Sequence, residues 1–215
     1  RRQRQMCIRD RNLVYPHIGF DEMHFIDYFD QTKILREYIT DQELYDKIIK
    51  RYENRKNNEK LFFMGITMQN HGGYTETYDN FPENYYKVGR SYTDANQYLS
   101  LVHESDEAVK NLISYFSKVD DPVEIIFFGD HQPSLNSNFY PILNGKGLTG
   151  LTEDELEKLY TVPFFIWTNY DTPEETVDIT SLDYLSTMAL ERAGIELPAS
   201  VSYTHLRAHE TCADL

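Results

Sequence analysis

Apolar positions along this chain recur at two spacings, and the spacing alternates from segment to segment. Leu44, Ile48, Ile49 and Tyr52 share one face at a period of about 3.6 residues, and Thr40-Asp41-Gln42-Glu43 ahead of them has the form of a capping box. A helix is therefore predicted from that box to about Glu53, ended by the polar run Asn54 to Lys60. Leu61-Phe62-Phe63-Met64-Gly65-Ile66-Thr67 is a continuous apolar run and predicts a buried strand. A loop with several Gly and Tyr residues follows, from Gln69 to Arg90. A long helix is predicted from about Ser91 to Lys118, its buried stripe being Ala95, Tyr98, Leu99, Val102, Val109, Leu112, Ile113 and Phe116.

The second half repeats this alternation. Val123-Glu124-Ile125-Ile126-Phe127-Phe128 reads as a second buried strand, closed by Gly129. An irregular stretch, Gln132 to Gly150, leads to Thr152-Glu153-Asp154-Glu155, which caps a short helix. Val162-Pro163-Phe164-Phe165-Ile166-Trp167 predicts a third strand, and a last helix near Ser181 to Ala193 ends at Gly194, a glycine C-cap. Such alternation favours an α/β sandwich around a central, largely parallel sheet. The chain has no internal repeat, no low-complexity linker and no run of about 18 apolar residues that would span a bilayer.

The two ends read as foreign to this pattern. Met6-Cys7-Ile8-Arg9-Asp10 can be encoded ATG TGT ATA AGA GAC, whose reverse complement, GTC TCT TAT ACA CAT, translates as Val201-Ser202-Tyr203-Thr204-His205. An inverted DNA repeat joining two protein termini, with different flanking arms, resembles translated transposase adaptor. Residues 1–11 and 201–215 are accordingly expected to be adaptor-derived and are set apart from residues 12–200.

Setting them apart changes the composition. Six basic and three acidic residues leave the totals of 21 and 35, so residues 12–200 carry a net charge of −17. Both cysteines, Cys7 and Cys212, leave as well, and the remainder needs no disulfide. So acidic a surface argues against a nucleic-acid partner, because a phosphate backbone requires a basic face. A phosphate-handling site is still allowed, since a bound cation reverses the local field.

Chemistry-bearing residues follow two of the predicted strands. Gly129-Asp130-His131 closes the Val123 strand, where open α/β sheets collect ligands. Asp130 and His131 offer a hard oxygen and a nitrogen to a divalent ion; a solvated turn is the alternative. After the Leu61 strand comes Asn70-His71-Gly72-Gly73-Tyr74, a glycine-flanked histidine that can approach a ligand and carry a proton, or simply bond local backbone. Tyr74, close to His71 in sequence, is a candidate pocket residue. His17 and His24 read as structural, and His103, beside Glu104 and Asp106, as a polar-face residue.

The order strand, Asn-His-Gly, long helix, strand, Gly-Asp-His resembles the sulfatase-like domain of the lipoteichoic acid synthase family, in the alkaline phosphatase superfamily. Tyr15-Pro16-His17-Ile18-Gly19-Phe20-Asp21 and Val162-Pro163-Phe164-Phe165-Ile166-Trp167 resemble two further segments of that family, so the similarity covers nearly all of residues 12–200. The resemblance implies an alkaline-phosphatase/sulfatase-like sandwich, incomplete at its N-terminus. Asp130 and His131 would be two ligands of a catalytic divalent ion, Mn2+ first, with Mg2+ or Zn2+ as alternatives. His71 would contact the phosphoglycerol group of the substrate.

The family's nucleophilic Thr, its remaining metal-binding Glu and its membrane-spanning helices would lie upstream, so the chain by itself is expected to be inactive. Arg11 stands near the place of a substrate-binding Arg but straddles the adaptor junction and is not counted. The implied activity is phosphoglycerol transfer from a phosphatidylglycerol-like lipid donor to a glycolipid or polymer acceptor, at the extracellular face of the cell membrane. Phosphoethanolamine transfer, sulfate ester or phosphodiester hydrolysis, and a non-catalytic sulfatase-like domain are the alternatives. Gly73, where Pro is common, and Gln132-Pro133 after Gly-Asp-His fit the broader family better than the polymer synthase itself.

Overall fold

Local signals place most of the elements where the sequence predicts them. The computed structural model describes residues 14–81 and 92–197, and the adaptor-like ends and residues 82–91 lie outside the described residues. The chain divides into two compact units, Arg1–Leu112 and Ile113–Leu215.

In the first unit, single turns of 3-10 helix at Tyr15–Ile18 and Ile26–Tyr28 lead to a hairpin of β1 (Ile34–Leu35) and β2 (Tyr38–Ile39). Its register pairs Ile34 with Ile39 and Leu35 with Tyr38, which leaves Arg36 and Glu37 as the turn. Arg36 takes a φ of 56°, a left-handed conformation costly for a side chain with a Cβ. Helix α1 (Asp41–Glu53) follows at once; the Thr40 side chain accepts from the Glu43 N–H and caps it.

Helix α2 (Thr93–Phe116) spans the division between the units. Ala95, Val109, Leu112 and Phe116 of its predicted stripe are buried, but Val102 is exposed. The buried face also takes in Gln97, Ser100, Leu101, Ser105 and Ala108. Polar residues occupy that face because hydrogen-bonding partners await them there, a fact hydrophobic periodicity does not carry.

Leu61–Thr67 differs from its predicted state. It carries no ladder to another strand among the described residues, and Phe62 is 78% exposed. Apolar composition favours an extended backbone, but a strand exists only when a neighbour supplies N–H and C=O groups. The segment packs on α1 instead. A Cβ added at Gly65 would lie 3.0 Å from Leu44 Cδ2 and 3.6 Å from Ile48 Cδ1, so glycine permits the close approach.

The second unit is organised by β3 (Glu124–Phe128) and β4 (Phe164–Thr168), paired from Glu124 with Thr168 to Phe128 with Phe164. This ladder is antiparallel, as is the β1–β2 hairpin, in contrast to the largely parallel sheet that alternation predicts. Alternation reports where helices intervene, not which way the next strand enters. Between β3 and β4, the short helices α3 (Tyr140–Asn144) and α4 (Glu153–Lys158) return the chain in the opposite direction. β3 is only half covered, with Ile126 and Phe128 exposed. Phe127 stacks on Phe165, ring centroids 5.3 Å apart.

Side chains fix the ends of this framework. Asn169 Nδ2 donates to the carbonyls of Phe116, Val119 and Asp121, and its Oδ1 accepts the Val123 N–H at 2.7 Å. One residue after β4 thus ties the last carbonyl of α2 to the start of β3. The capping box at Thr152 and Glu155 is present, as predicted. Helix α5 (Leu182–Arg192) ends with Gly194 at φ 67°, its N–H on the Glu191 carbonyl and the Ile195 N–H on that of Leu190, a complete Schellman closure.

Candidate functional site

Gly129 lets the chain leave β3 under β4. Its N–H donates to the Pro163 carbonyl at 3.1 Å, and a Cβ there would lie 3.1 Å from Val162 Cβ. The next two residues turn outward. The side chains of Asp130 and His131 are 86% and 74% exposed, with His131 Nε2 3.5 Å from Asp130 Oδ2.

The hydrogen bonds around this pair decide which imidazole nitrogen carries hydrogen when the ring is neutral. His131 Nδ1 lies 2.9 Å from the Gln132 carbonyl oxygen. A carbonyl only accepts, so Nδ1 carries the hydrogen and the neutral ring presents its Nε2 lone pair. That lone pair faces the Asp130 carboxylate, and two acceptors face each other until a cation or a proton comes between them. Backbone anchoring of one imidazole nitrogen is the usual arrangement behind a histidine metal ligand. A carboxylate oxygen with an imidazole nitrogen suits Mn2+, Mg2+ or Zn2+ as part of a ligand set. The set is partial: among the described residues, no group of three or more His, Cys, Asp or Glu could hold an ion.

His71 is positioned by a different network, all of it in the first unit. Its N–H closes a turn on the Met68 carbonyl, and its Nδ1 lies 2.8 Å from the Gly72 carbonyl oxygen and 3.1 Å from the Tyr38 hydroxyl. The ring is half-buried. Beneath the loop lies Arg36, only 5% exposed. One of its terminal nitrogens donates to the Gly73 carbonyl and to Gln97 Oε1, the other to the carbonyls of Gln69 and His71. The rings of Tyr38, Tyr74 and Tyr78 surround the guanidinium at 5.5 to 5.8 Å. Tyr74 is buried there and donates to the Asn70 carbonyl, so it supports the loop.

A second buried cluster holds the base of the loop. Ser105 Oγ donates to Asp41 Oδ2 and accepts from Gln69 Nε2 and Asn70 Nδ2, while the Asp41 N–H donates to Gln69 Oε1. Burial pushes the Asp41 carboxyl up to about 6, and the Ser105 hydroxyl is the largest influence pulling it back.

Sequence reasoning missed Arg36, Tyr38, Asp41 and Ser105. Leu35-Arg36-Glu37-Tyr38 carries no motif, and only the structure brings it under a loop more than thirty residues away. His17 and His24 are exposed; His24 Nε2 lies 3.4 Å from Glu22 Oε2, and its ring stacks on Tyr28, a surface role. His103 is half-buried within α2. His71 belongs to the first unit and Asp130 and His131 to the second, and each group is described within its own unit.

Comparison with known proteins identifies the family. The sulfatase family profile matches residues 5–195. A putative cyclic β-1,2-glucan modification protein of Rhizobium meliloti (strain 1021) is 26% identical over 197 residues, covering 88% of this chain and 30% of that protein. The capsular polysaccharide biosynthesis protein RkpI of the same organism is 33% identical over 129 residues, covering 59% of this chain and 22% of that protein. The chain thus spans less than a third of the length of these relatives. The fold matches the Streptococcus pyogenes phosphoglycerol transferase GacH, solved in complex with sn-glycerol-1-phosphate, with a TM-score of 0.64 and 22% identity over 89% of this chain and 48% of that one. The chain belongs to the sulfatase family and carries the sulfatase-like α/β fold of the alkaline phosphatase superfamily.

Proposed function

We propose that this chain is part of a metal-dependent phosphoglycerol transferase acting at the cell surface on a lipid-linked donor. The observation that carries the reading is the Asp130–His131 pair: a backbone-anchored imidazole presents its free nitrogen 3.5 Å from a carboxylate oxygen, on an exposed turn after a strand. A divalent ion held there by Asp130 and His131 would polarise a phosphoryl oxygen. The remaining ligand and the nucleophile belong, on this reading, to parts of the parent protein outside this chain.

His71 supplies the second function. With Nδ1 anchored on the Gly72 carbonyl, its Nε2 is the nitrogen left to hold a phosphoryl oxygen or to pass a proton to the leaving alcohol. Arg36 lies buried beneath the same loop without an ion pair among the described residues, so its positive charge adds to the attraction for an anionic group. The relatives' names, a glucan modification protein and a capsular polysaccharide biosynthesis protein, support a glycan acceptor. No helix among the described residues is long and apolar enough to cross a membrane, and the membrane anchor of this proposal lies outside them.

The test is transfer by the full-length parent protein from a phosphatidylglycerol donor, read as diacylglycerol released. Mn2+ should restore activity to chelator-treated protein, and Asp130→Ala, His131→Ala and His71→Ala should each lower it by a hundredfold or more, on the order of the loss seen when one member of a catalytic unit is removed. Full activity of Asp130→Ala in the presence of chelator would overturn the reading.

A further inference from the structure

The hairpin turn of β1 and β2 meets the His71 loop at two points, and nothing in the motif pattern explains why. Arg36 takes the carbonyls of Gln69, His71 and Gly73, every second carbonyl of the loop. Tyr38, two residues on, brings its hydroxyl 3.1 Å from His71 Nδ1, its ring centroid 5.5 Å from that of the imidazole. Arg36 reaches the loop from a left-handed backbone conformation that an arginine adopts only when its surroundings impose it.

We infer that Arg36 and Tyr38 are positioning residues for His71: Arg36 fixes the loop backbone, and Tyr38 shares the imidazole Nδ1–H with the Gly72 carbonyl, so that Nε2 is the nitrogen kept free. The protonation follows from the partners. The Gly72 oxygen, 2.8 Å away, only accepts, so Nδ1 donates, and the Tyr38 hydroxyl accepts the other share of that hydrogen. The Tyr38 proton is then left for a further acceptor. Without the hydroxyl the ring keeps a single anchor, and the other tautomer and rotated ring positions become accessible. Outer partners that orient a histidine are worth about 10- to 100-fold in function elsewhere. This inference rests on His71 being the substrate-contacting histidine.

The experiment is nitrogen NMR of the imidazole in histidine-labelled protein, followed by titration with sn-glycerol-1-phosphate. The wild type should show neutral His71 as the Nδ1–H tautomer. Tyr38→Phe, which removes one oxygen and leaves the ring to pack, should shift His71 toward a mixture of tautomers and weaken glycerol phosphate binding about tenfold. Arg36→Lys should broaden the His71 signals and weaken binding at least as much. An unchanged tautomer in Tyr38→Phe overturns the inference, as does a wild type that holds the hydrogen on Nε2. A wild type that has the expected tautomer, lost in Tyr38→Phe, yet does not respond to glycerol phosphate supports the positioning and refutes the functional reading alone.

Discussion

Replacing Asp41 by Asn should remove a pH dependence that one buried carboxyl imposes on the whole chain. Asp41 opens α1 from a buried position, accepts the Ser105 hydroxyl and has its carboxyl pushed up to about 6, chiefly by burial. In the unfolded chain the same group titrates near 3.8. Between these values the folded protein holds a proton that the unfolded chain has released. Stability therefore falls as pH rises through this window, the opposite of the usual behaviour of a paired carboxylate. The whole effect is about 3 kcal/mol at about 1.36 kcal/mol per pH unit, and between pH 4.5 and 7.5 about 2 kcal/mol of it is lost. Asparagine resembles the protonated acid and still accepts from Ser105, so it keeps the contact without the titration. Urea unfolding of both proteins at the two pH values gives the double difference, in which all other titrating groups cancel. The variant should gain about 2 kcal/mol on the wild type as pH rises from about 4.5 to 7.5. An offset that does not change with pH would refute the argument.

Asn169→Ala should cost about 2–3 kcal/mol in urea unfolding, because it strips three carbonyls and the Val123 N–H of their shared partner. Gly129→Ala should cost about 1–3 kcal/mol in urea unfolding through the 3.1 Å approach to Val162 Cβ, and adding Val162→Ala should recover little of it, because alanine keeps that Cβ. Thr152→Ala should cost about 1 kcal/mol by removing the capping box of α4, read as the same shift in unfolding midpoint at about pH 5 and 8.

How much of this was legible in the sequence depends on the range of the interaction. Caps and periodic helices are local, and Thr40, Thr152, Ser181 and Gly194 all act where the sequence predicts. The Asp130–His131 pair is local too: its two donors are neighbours, and its anchor is the next carbonyl. Strand pairing is not local. Val123–Phe128 is recognisable as a strand from its apolar run, but its antiparallel partner and half-exposed face are decided by β4. Leu61–Thr67 has the composition of a strand without a described neighbour to make it one. The support of His71 was least legible, because Arg36, Gln97 and Ser105 look like surface residues in a sequence and become interior only when α2 and the hairpin enclose the loop.

Whether Asp130 and His131 take a divalent ion can be read directly from paramagnetic broadening. Mn2+ relaxes nearby nuclei with a steep inverse dependence on distance, so an ion on this pair acts first on the imidazole it touches. Added to histidine-labelled protein, Mn2+ should broaden the imidazole signals of His131 while those of His24 stay sharp, and Asp130→Ala should abolish the effect. Broadening that survives Asp130→Ala, or a His131 signal that Mn2+ leaves sharp, would contradict a metal site at this pair.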